Sequence, residues 1–217
     1  MWKLTNSPET APEKPEHIAI TFTKGIPTKV SVGGKEITDA VDIFFTLNNL
    51  ARVHGIGRVD IVENRFIGVK SRGCYETPAG TILRAAHVDL EGLTLDREVR
   101  RLRDSFITTK FSEQLYYGMF FTPECKFVRS CIPGTQGTVN GQVKLKLYKG
   151  NVIVQGRTSE ETLYDEKFSS MDELGGFQPE ETTGFIEVNA IRIKRYGVGQ
   201  EAKGLGGSSE EVAYGLQ

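Results

Sequence analysis

The sequence predicts an α+β fold in which antiparallel hairpins pack with several helices. Short segments alternate apolar and polar residues and end at glycine-containing turns, which is typical of paired strands. Longer segments repeat apolar residues every three or four positions after Thr, Asp or Pro, which indicates helices with defined starts. The strand segments occur in adjacent pairs separated by short turns, and such pairs favour antiparallel hairpins.

Composition excludes several classes of protein. The 217 residues are 25% charged and 38% hydrophobic, with a formal net charge of -1, so no global field favours nucleic acid or an acidic membrane. No apolar run approaches the roughly 20 residues that a membrane helix needs. The first residues resemble neither a signal peptide nor a transit peptide, so we expect a cytoplasmic protein. Cys74, Cys125 and Cys131 have irregular spacing without a CxxC motif, which predicts reduced thiols and no metal site.

The first part of the chain predicts an arm followed by a hairpin. Residues 1–16 carry three prolines among polar residues, which predicts an extended arm or linker. Residues 17–23 alternate as a strand, and a second strand follows at 28–32, closed by Gly33 and Gly34.

A helix is predicted from Asp39 to His54, with Thr38 or Asp39 as its N-cap and Gly55 at its end. Most of its apolar residues are predicted to form one buried stripe: Val41, Phe44, Phe45, Leu47, Leu50, Ala51 and Val53.

The stretch 58–81 is the most informative part of the chain. A first strand places Val59 and Ile61 on one face and ends in a turn at Asn64. A second strand is predicted from Arg65 to about Lys70, with the chain broken again at Gly73. Thr77-Pro78 then predicts a helix start, with Thr as N-cap and Pro at the first helical position.

This stretch brings a carboxylate, a phenol and a helix start close together in sequence. Such a group suits a zwitterionic ligand: Glu63 for an ammonium group, and helix amides or Arg72 for a carboxylate. The structural alternative is a buried ion pair between Glu63 and Arg72 that ties the hairpin to the helix. Spacing alone favours this alternative.

Helical periodicity returns after Pro78. Apolar residues face a core, and His87 among them is predicted to be a hydrogen-bonded core residue. Asp96 begins another helix, and residues 112–117 continue as helix or turn. Thr122-Pro123 predicts a short helix over Glu124 to Ile132, which Pro133-Gly134 should stop.

The clearest β pattern comes next. An Asn140-Gly141 turn precedes Gln142–Tyr148, which alternates apolar residues with lysines, and Val152–Val154 is the return strand. The lysine face is predicted to be solvated or directed at another subunit, with no role in nucleic-acid binding. Residues 155–181 read as irregular, with a turn at 170–174.

The C-terminal segment Phe185–Tyr196 fits a helix capped by Thr182 or Thr183, but part of it also fits a strand. The residues themselves leave both interpretations open. The Gly/Ser/Glu-rich residues 198–217 predict a disordered tail.

The chain carries no motif of a self-sufficient enzyme. It lacks a Walker loop, a GxGxxG turn, an HExxH helix and a GxSxG elbow. Its own residues therefore favour ligand binding over a complete reaction.

Residues 58–81, RVDIVENRFIGVKSRGCYETPAGT, closely resemble argininosuccinate synthase. The resemblance continues through the motifs DREVR at 96–100, TPEC at 122–125, YKGNV at 148–152 and TGFI at 183–186. The segment AHVDLEGLTLD at 86–96 is similar to the fungal members. Together these motifs cover nearly the whole chain except the tail.

The resemblance is to the C-terminal part of that family alone. Members begin with an ATP-binding domain whose Ser-Gly-Gly-Leu-Asp-Thr-Ser loop holds pyrophosphate, and no such loop occurs here. The resemblance implies a synthetase and multimerisation domain at 17–181, an oligomerisation helix at 182–197 and homotetramer assembly. A truncated gene product, an incomplete gene model and an excised domain each fit this expectation.

The family joins citrulline and aspartate in arginine biosynthesis and cleaves ATP, with Mg²⁺, to AMP and pyrophosphate. The resemblance implies that Glu63 and Tyr75 contact citrulline, with Ser71 and Arg72 as candidates for supporting positions. Aspartate and ATP would bind through the missing domain, so this chain alone is expected to bind no cofactor and to be inactive. The rival hypotheses are a catalytically silent amino-acid-binding or oligomerisation module, and a purely structural scaffold.

Overall fold

The computed structural model describes residues 1–166, 181–202 and 204, and divides the chain into the units Met1–Tyr164 and Asp165–Gln217. The strands are β1 Glu16–Thr23, β2 Ile26–Val32, β3 Lys35–Ile37, β4 Arg58–Asn64, β5 Lys70–Glu76, β6 Gly141–Tyr148 and β7 Asn151–Thr158. The helices are α1 Ala40–Val53, α2 Pro78–Thr94, α3 Arg97–Leu102, α4 Thr109–Tyr116, α5 Pro123–Gln136 and α6 Glu181–Glu201. A π-helical segment, Arg103–Thr108, joins α3 to α4. This mixed architecture confirms the predicted fold class.

One sheet of five antiparallel strands has the order β3-β2-β1-β6-β7, and β4 pairs with β5 in a separate two-stranded sheet. Strand β3 was not predicted. Gly33 and Gly34, with φ of 55° and 77°, form the tight turn between β2 and β3. The alternation predicted for β6 is confirmed, because Val143, Leu145 and Leu147 are fully buried.

The core lies between the five-stranded sheet and helices α1 and α2, which also pack against each other. From the sheet it receives the buried faces of β1, β2 and β6. From α2 it receives Ala79, Ile82, Ala86 and Leu90, all fully buried. Burial of this apolar surface is what stabilises the domain and fixes the start of α2 next to the hairpin β4-β5.

The stripe predicted for α1 is wrong in part. Its buried residues are Ile43, Leu47 and Ala51, which recur at i, i+4 and i+8 on the face toward the sheet. Val41, Phe44, Phe45 and Val53 are instead 44–61% exposed. Apolar residues occur on more than one side of this helix, so periodicity could not select the core-facing side. The Asp39 cap is confirmed, since its carboxylate accepts hydrogen bonds from the N–H groups of Val41 and Asp42.

Helix α5 does not stop at Pro133, as its sequence predicted, but continues to Gln136. A proline inside a helix removes one backbone hydrogen bond and crowds the preceding turn. Here the last turn is held by Gln136, which is buried and donates to the Glu91 carboxylate at 2.9 Å. Asn140 and Gly141 consequently connect a helix to β6 and do not form a hairpin. The Thr122 cap is confirmed by its contact with the Cys125 N–H.

The C-terminal segment is a helix, α6, as the resemblance implied. Thr182 and Thr183 lie inside it and do not cap it, and the predicted end at Gly197 also falls within it. Strand β7 extends to Thr158, so residues 155–158 are not irregular as predicted. The disordered tail predicted for 198–217 is wrong for 198–201, which are helical. The rest of that tail beyond 204 and the predicted turn at 170–174 lie outside the described residues. Among the described helices, none has the length and apolar composition required to cross a membrane.

Candidate functional site

The hairpin β4-β5 carries the predicted site residues, but its strands differ from the prediction. Residues between Asn64 and Lys70 form the connecting turn, closed by hydrogen bonds of 2.8 Å between Arg65 and Val69 and between Gly68 and Arg65. The second strand starts at Lys70, and Gly73 lies in its middle, opposite Ile61. The apolar side chains of this turn suggested a strand, but the backbone pairing places them at an exposed tip.

One face of the hairpin brings Glu63 and Tyr75 together. Glu63 lies opposite Ser71, and Val59 lies opposite Tyr75, so all four positions share a face with Gly73 between them. The Tyr75 hydroxyl donates a hydrogen bond to the Glu63 carboxylate. This bond, with burial and the negative charge of Glu63, raises the pKa of the Tyr75 phenol. The face therefore presents a fixed carboxylate and phenol as one unit.

Arg72 lies on the opposite face and pairs with Asp60. Its Nε and Nη2 atoms lie 2.8 and 2.6 Å from the two carboxylate oxygens of Asp60, which is a bidentate pair. The hydrogen bond from Arg72 lowers the pKa of Asp60, and the same pair raises the pKa of Arg72. The predicted Glu63–Arg72 ion pair is therefore absent, because successive side chains of β5 point to opposite faces.

The two candidate residues beside Glu63 and Tyr75 differ in their surroundings. The Ser71 hydroxyl is enclosed and has no hydrogen-bond partner among the described residues. Glu63 is half-buried, whereas Tyr75 is 44% exposed, so solvent reaches this face. Because the one O–H proton of Tyr75 is donated to Glu63, both groups present acceptor oxygens, which can bind a ligand that offers N–H groups.

Glu76 anchors the N-terminal arm at the end of β5. Its carboxylate accepts hydrogen bonds from the backbone N–H groups of Lys3, Leu4 and Thr5 and from the Thr5 hydroxyl. Burial opposes its charge, but these hydrogen bonds outweigh burial and lower the Glu76 pKa to about 2. Arg58 adds bonds of 2.8 Å to the Thr5 hydroxyl and carbonyl. Sequence reasoning missed this anchor, because no local pattern links residues more than 70 positions apart.

A second contact holds the other end of the hairpin. The Tyr116 hydroxyl donates to the Asn64 carbonyl at 2.8 Å, and the rings of Phe66 and Tyr117 pack edge to face at 5.1 Å. These contacts connect the tip to the end of α4. The aromatic pair at 116–117 in the sequence was the only available signal for this contact.

The predicted helix start is at the predicted place, but it is less open than the sequence suggested. Thr77 precedes α2, yet its hydroxyl caps no N–H group and lies 3.2 Å from the Thr81 hydroxyl. Pro78 and Ala79 are buried. The geometry therefore favours Glu63 and Tyr75, and not the helix amides, as the ligand-contacting groups.

A separate cavity of about 370 Å³ lies beside α2, the π-helical segment and α5, and includes none of the predicted site residues. Glu91 is fully buried there and pairs with Arg103 at 2.6 Å, while His87 contacts Gln136 at 2.8 Å. His87 is hydrogen-bonded as predicted, but it is only partly buried and lines the cavity, so it is not the core residue that the sequence predicted. These bonds tie three helical elements together. Within the described residues, no three His, Cys, Asp or Glu side chains are grouped so that they could hold a metal ion.

The fold and the site define a class of protein: a mixed α/β domain in which a hairpin carries an accessible carboxylate–phenol pair. Residues 1–196 match the family described as "Arginosuccinate synthase C-terminal domain". The chain therefore belongs to the argininosuccinate synthase family, through its C-terminal domain.

Curated relatives support the same assignment. The chain is 53% identical over 211 residues to argininosuccinate synthase of Saccharomyces cerevisiae. The aligned region covers 94% of this chain and 50% of the relative. With the Schizosaccharomyces pombe protein of the same name it shares 54% identity over 195 residues, covering 89% and 48%. Identity to the Gallus gallus protein is 48% over 198 residues, covering 90% and 47%. The chain thus spans about half the length of the curated relatives that it matches.

Proposed function

We propose that this chain supplies citrulline contacts and assembly contacts to an argininosuccinate synthase, the ligase that joins citrulline and aspartate with cleavage of ATP to AMP and pyrophosphate. The observation that carries this proposal is the hydrogen bond between Tyr75 and Glu63 on one accessible face of the hairpin. Family membership supports the proposed reaction, and the hairpin supplies two polar groups at the positions that the resemblance implies for citrulline contact.

In this proposal Glu63 and Tyr75 position the substrate and exchange no proton with it. The Glu63 carboxylate accepts hydrogen bonds from nitrogens of citrulline, and the Tyr75 hydroxyl contacts the same molecule. Holding the ureido group in one orientation favours its attack on phosphorus, because the entropy of alignment is lost on binding and not in the reaction step. Since Arg72 is engaged with Asp60 on the opposite face, a structural role suits Arg72 better than ligand contact.

ATP, Mg²⁺ and aspartate are proposed to bind outside this chain, in the part of the relatives that it does not span. The cytoplasm is the proposed location, in keeping with a biosynthetic ligase. Homotetramer assembly is proposed to use α6, whose apolar side chains Phe185, Ile186, Val188, Ile191 and Ile193 are 60–71% exposed. Apolar side chains exposed to this extent along one helix are typical of a surface that another chain covers.

The test uses a chimera in which this chain replaces the matching half of the Saccharomyces cerevisiae enzyme. Glu63→Gln should raise the KM for citrulline by roughly tenfold or more, because a neutral amide loses a charge-assisted hydrogen bond. The KM for aspartate should change little. The matched control is Asp60→Asn, which removes a carboxylate from the same strand but from the opposite face.

Equal effects of the two substitutions on the KM for citrulline would contradict the proposed role of Glu63. An unchanged KM together with a lowered melting temperature would favour the purely structural scaffold.

The second candidate function is a catalytically silent amino-acid-binding or oligomerisation module, which the coverage of only half of the relatives favours. The purified 217-residue chain should form no argininosuccinate from citrulline, aspartate and ATP. Product formation by this chain alone, measured by mass spectrometry, would overturn the proposal that ATP binds elsewhere. Citrulline binding without turnover in the chimera would favour the silent module.

A further inference from the structure

The aromatic ring of Tyr75 lies directly over Gly73, its neighbour two positions earlier on the same face of β5. A methyl group added at Gly73 would lie 2.9 Å from both the Cζ and the hydroxyl oxygen of Tyr75, and closer still to Cε2. Real side-chain carbons do not approach other atoms so closely, so the ring would have to move. The phenol can cross the strand to Glu63 only because position 73 has no side chain.

The backbone does not explain this glycine. The φ angle of Gly73 is not positive, and the residue pairs regularly with Ile61 in the middle of the hairpin. Alanine or a larger residue would fit the backbone there, and glycine weakens a strand because it contributes no packing and restricts the unfolded chain least. The Tyr75 ring fills the space where a side chain at position 73 would lie. This contact, and not the backbone conformation, therefore explains why the residue is glycine.

We propose that Gly73 is a positioning residue of the citrulline site: the space above it lets the Tyr75 ring lie over β5 and so delivers the phenol to Glu63. The inference rests on the proposed function for its ligand, but its geometric part concerns this chain alone. Gly73 itself touches no substrate. It acts by determining which direction the phenol takes and thereby which oxygen of Glu63 stays available.

The geometric part is tested on the 217-residue chain by ¹⁹F NMR titration of fluorotyrosine-labelled protein, with the Tyr75 resonance assigned by its loss in Tyr75→Phe. The contact with Glu63 raises the phenol pKa in the folded chain. Gly73→Ala should displace the ring and lower this apparent pKa toward that of an exposed tyrosine. Gly156→Ala is the matched control, since it also adds a methyl group to a strand glycine but meets no atom within 4 Å.

A double-mutant cycle covers the case in which Gly73→Ala folds poorly. If Gly73 acts through the Tyr75 ring, Gly73→Ala should lower the melting temperature in the wild-type chain but not in the Tyr75→Ala background. Equal losses in both backgrounds would show that the glycine serves the backbone, and would overturn the proposal. An unchanged Tyr75 titration in folded Gly73→Ala would overturn it as well.

The ligand part is tested in the chimera. Gly73→Ala should raise the KM for citrulline roughly tenfold, the cost of losing one hydrogen bond to a charged partner, and the KM for aspartate should stay within twofold. If Gly73→Ala shifts the phenol titration but Glu63→Gln leaves the KM for citrulline unchanged, the proposed function fails while the geometric role of Gly73 stands. If Glu63→Gln alters the KM and Gly73→Ala alters neither the titration nor the KM, the positioning role fails.

Discussion

The carboxylate of Glu76 accepts two hydrogen bonds from Thr5, one from its backbone N–H at 2.8 Å and one from its hydroxyl at 2.6 Å. This contact joins the N-terminal arm to the last residue of β5, one position after Tyr75 and two before α2. The arm is therefore part of the support of the hairpin. Trp2, the only tryptophan of the chain, lies in the same arm with the Arg58 guanidinium 5.1 Å from its ring centre.

The attachment of the arm should depend on pH. The Glu76 pKa is about 2 in the folded chain, compared with 4.5 for an unperturbed glutamate, so the folded state binds this proton less readily than the unfolded state. Its contribution to stability is complete above about pH 4.5 and is lost as the pH falls toward 2. Trp2 fluorescence should report this release. Glu76→Gln should flatten the pH dependence of the denaturation midpoint in this window, and an unchanged slope would contradict the assignment.

Helix α1 should tolerate substitution on one side only. Leu47→Ala should lower the free energy of unfolding by about 3 kcal/mol, because it leaves a cavity in a fully buried site. Phe44→Ala should change it by no more than about 0.5 kcal/mol in the isolated chain, since the ring is 51% exposed. Urea denaturation of both variants measures the difference. A larger loss for Phe44→Ala would mean that the ring packs inside the domain.

The buried Glu91–Arg103 pair should be costly to break from one side. Glu91→Leu removes the buried counter-charge of Arg103, which keeps only the exposed Asp104 carboxylate at 3.2 Å, and it also removes the acceptor of Gln136, so it should cost about 3 kcal/mol. Adding Arg103→Met to this variant should recover the part of the loss that comes from the uncompensated charge, while the lost bond from Gln136 to Glu91 is not restored. The exposed pair of Glu98 and Arg101 gives the control, since Glu98→Gln should cost less than about 1 kcal/mol. A double variant no more stable than Glu91→Leu would refute the pairing.

Assembly should depend on the exposed apolar side chains of α6. Ile186 and Ile193 are separated by two helical turns and are both 61% exposed. Replacing both with Asp should lower the mass measured by light scattering from that of a tetramer to a smaller species, while circular dichroism shows that the helix content is kept. An unchanged mass would place the subunit contacts elsewhere.

The sequence predicted the elements with strong local signals. Asp39 and Thr122 cap helices because their side chains satisfy the first N–H groups, and this depends only on residues within the same turn. The alternation of β6 was equally local. Pro133 misled the prediction because the bonds of Gln136 to Glu91 and His87, which hold the last turn, come from a distant helix.

The site shows the same division. Residue types and motif alone identified Glu63 and Tyr75 as the candidate pair, and also the family to which the chain belongs. The partner of Arg72 and the anchoring by Glu76 depended on the register of β4 against β5 and on contacts between residues far apart in sequence.

What the sequence determined by itself is therefore the starts of α1, α2, α3 and α5, the alternation of β1 and β6, and the chemical identity of the carboxylate and phenol. Only the tertiary structure decided that Tyr75 reaches Glu63 across Gly73 while Arg72 turns to Asp60. The physical reason is that a strand alternates its side chains between two faces, so moving the start of β5 by a few residues changes which groups can meet.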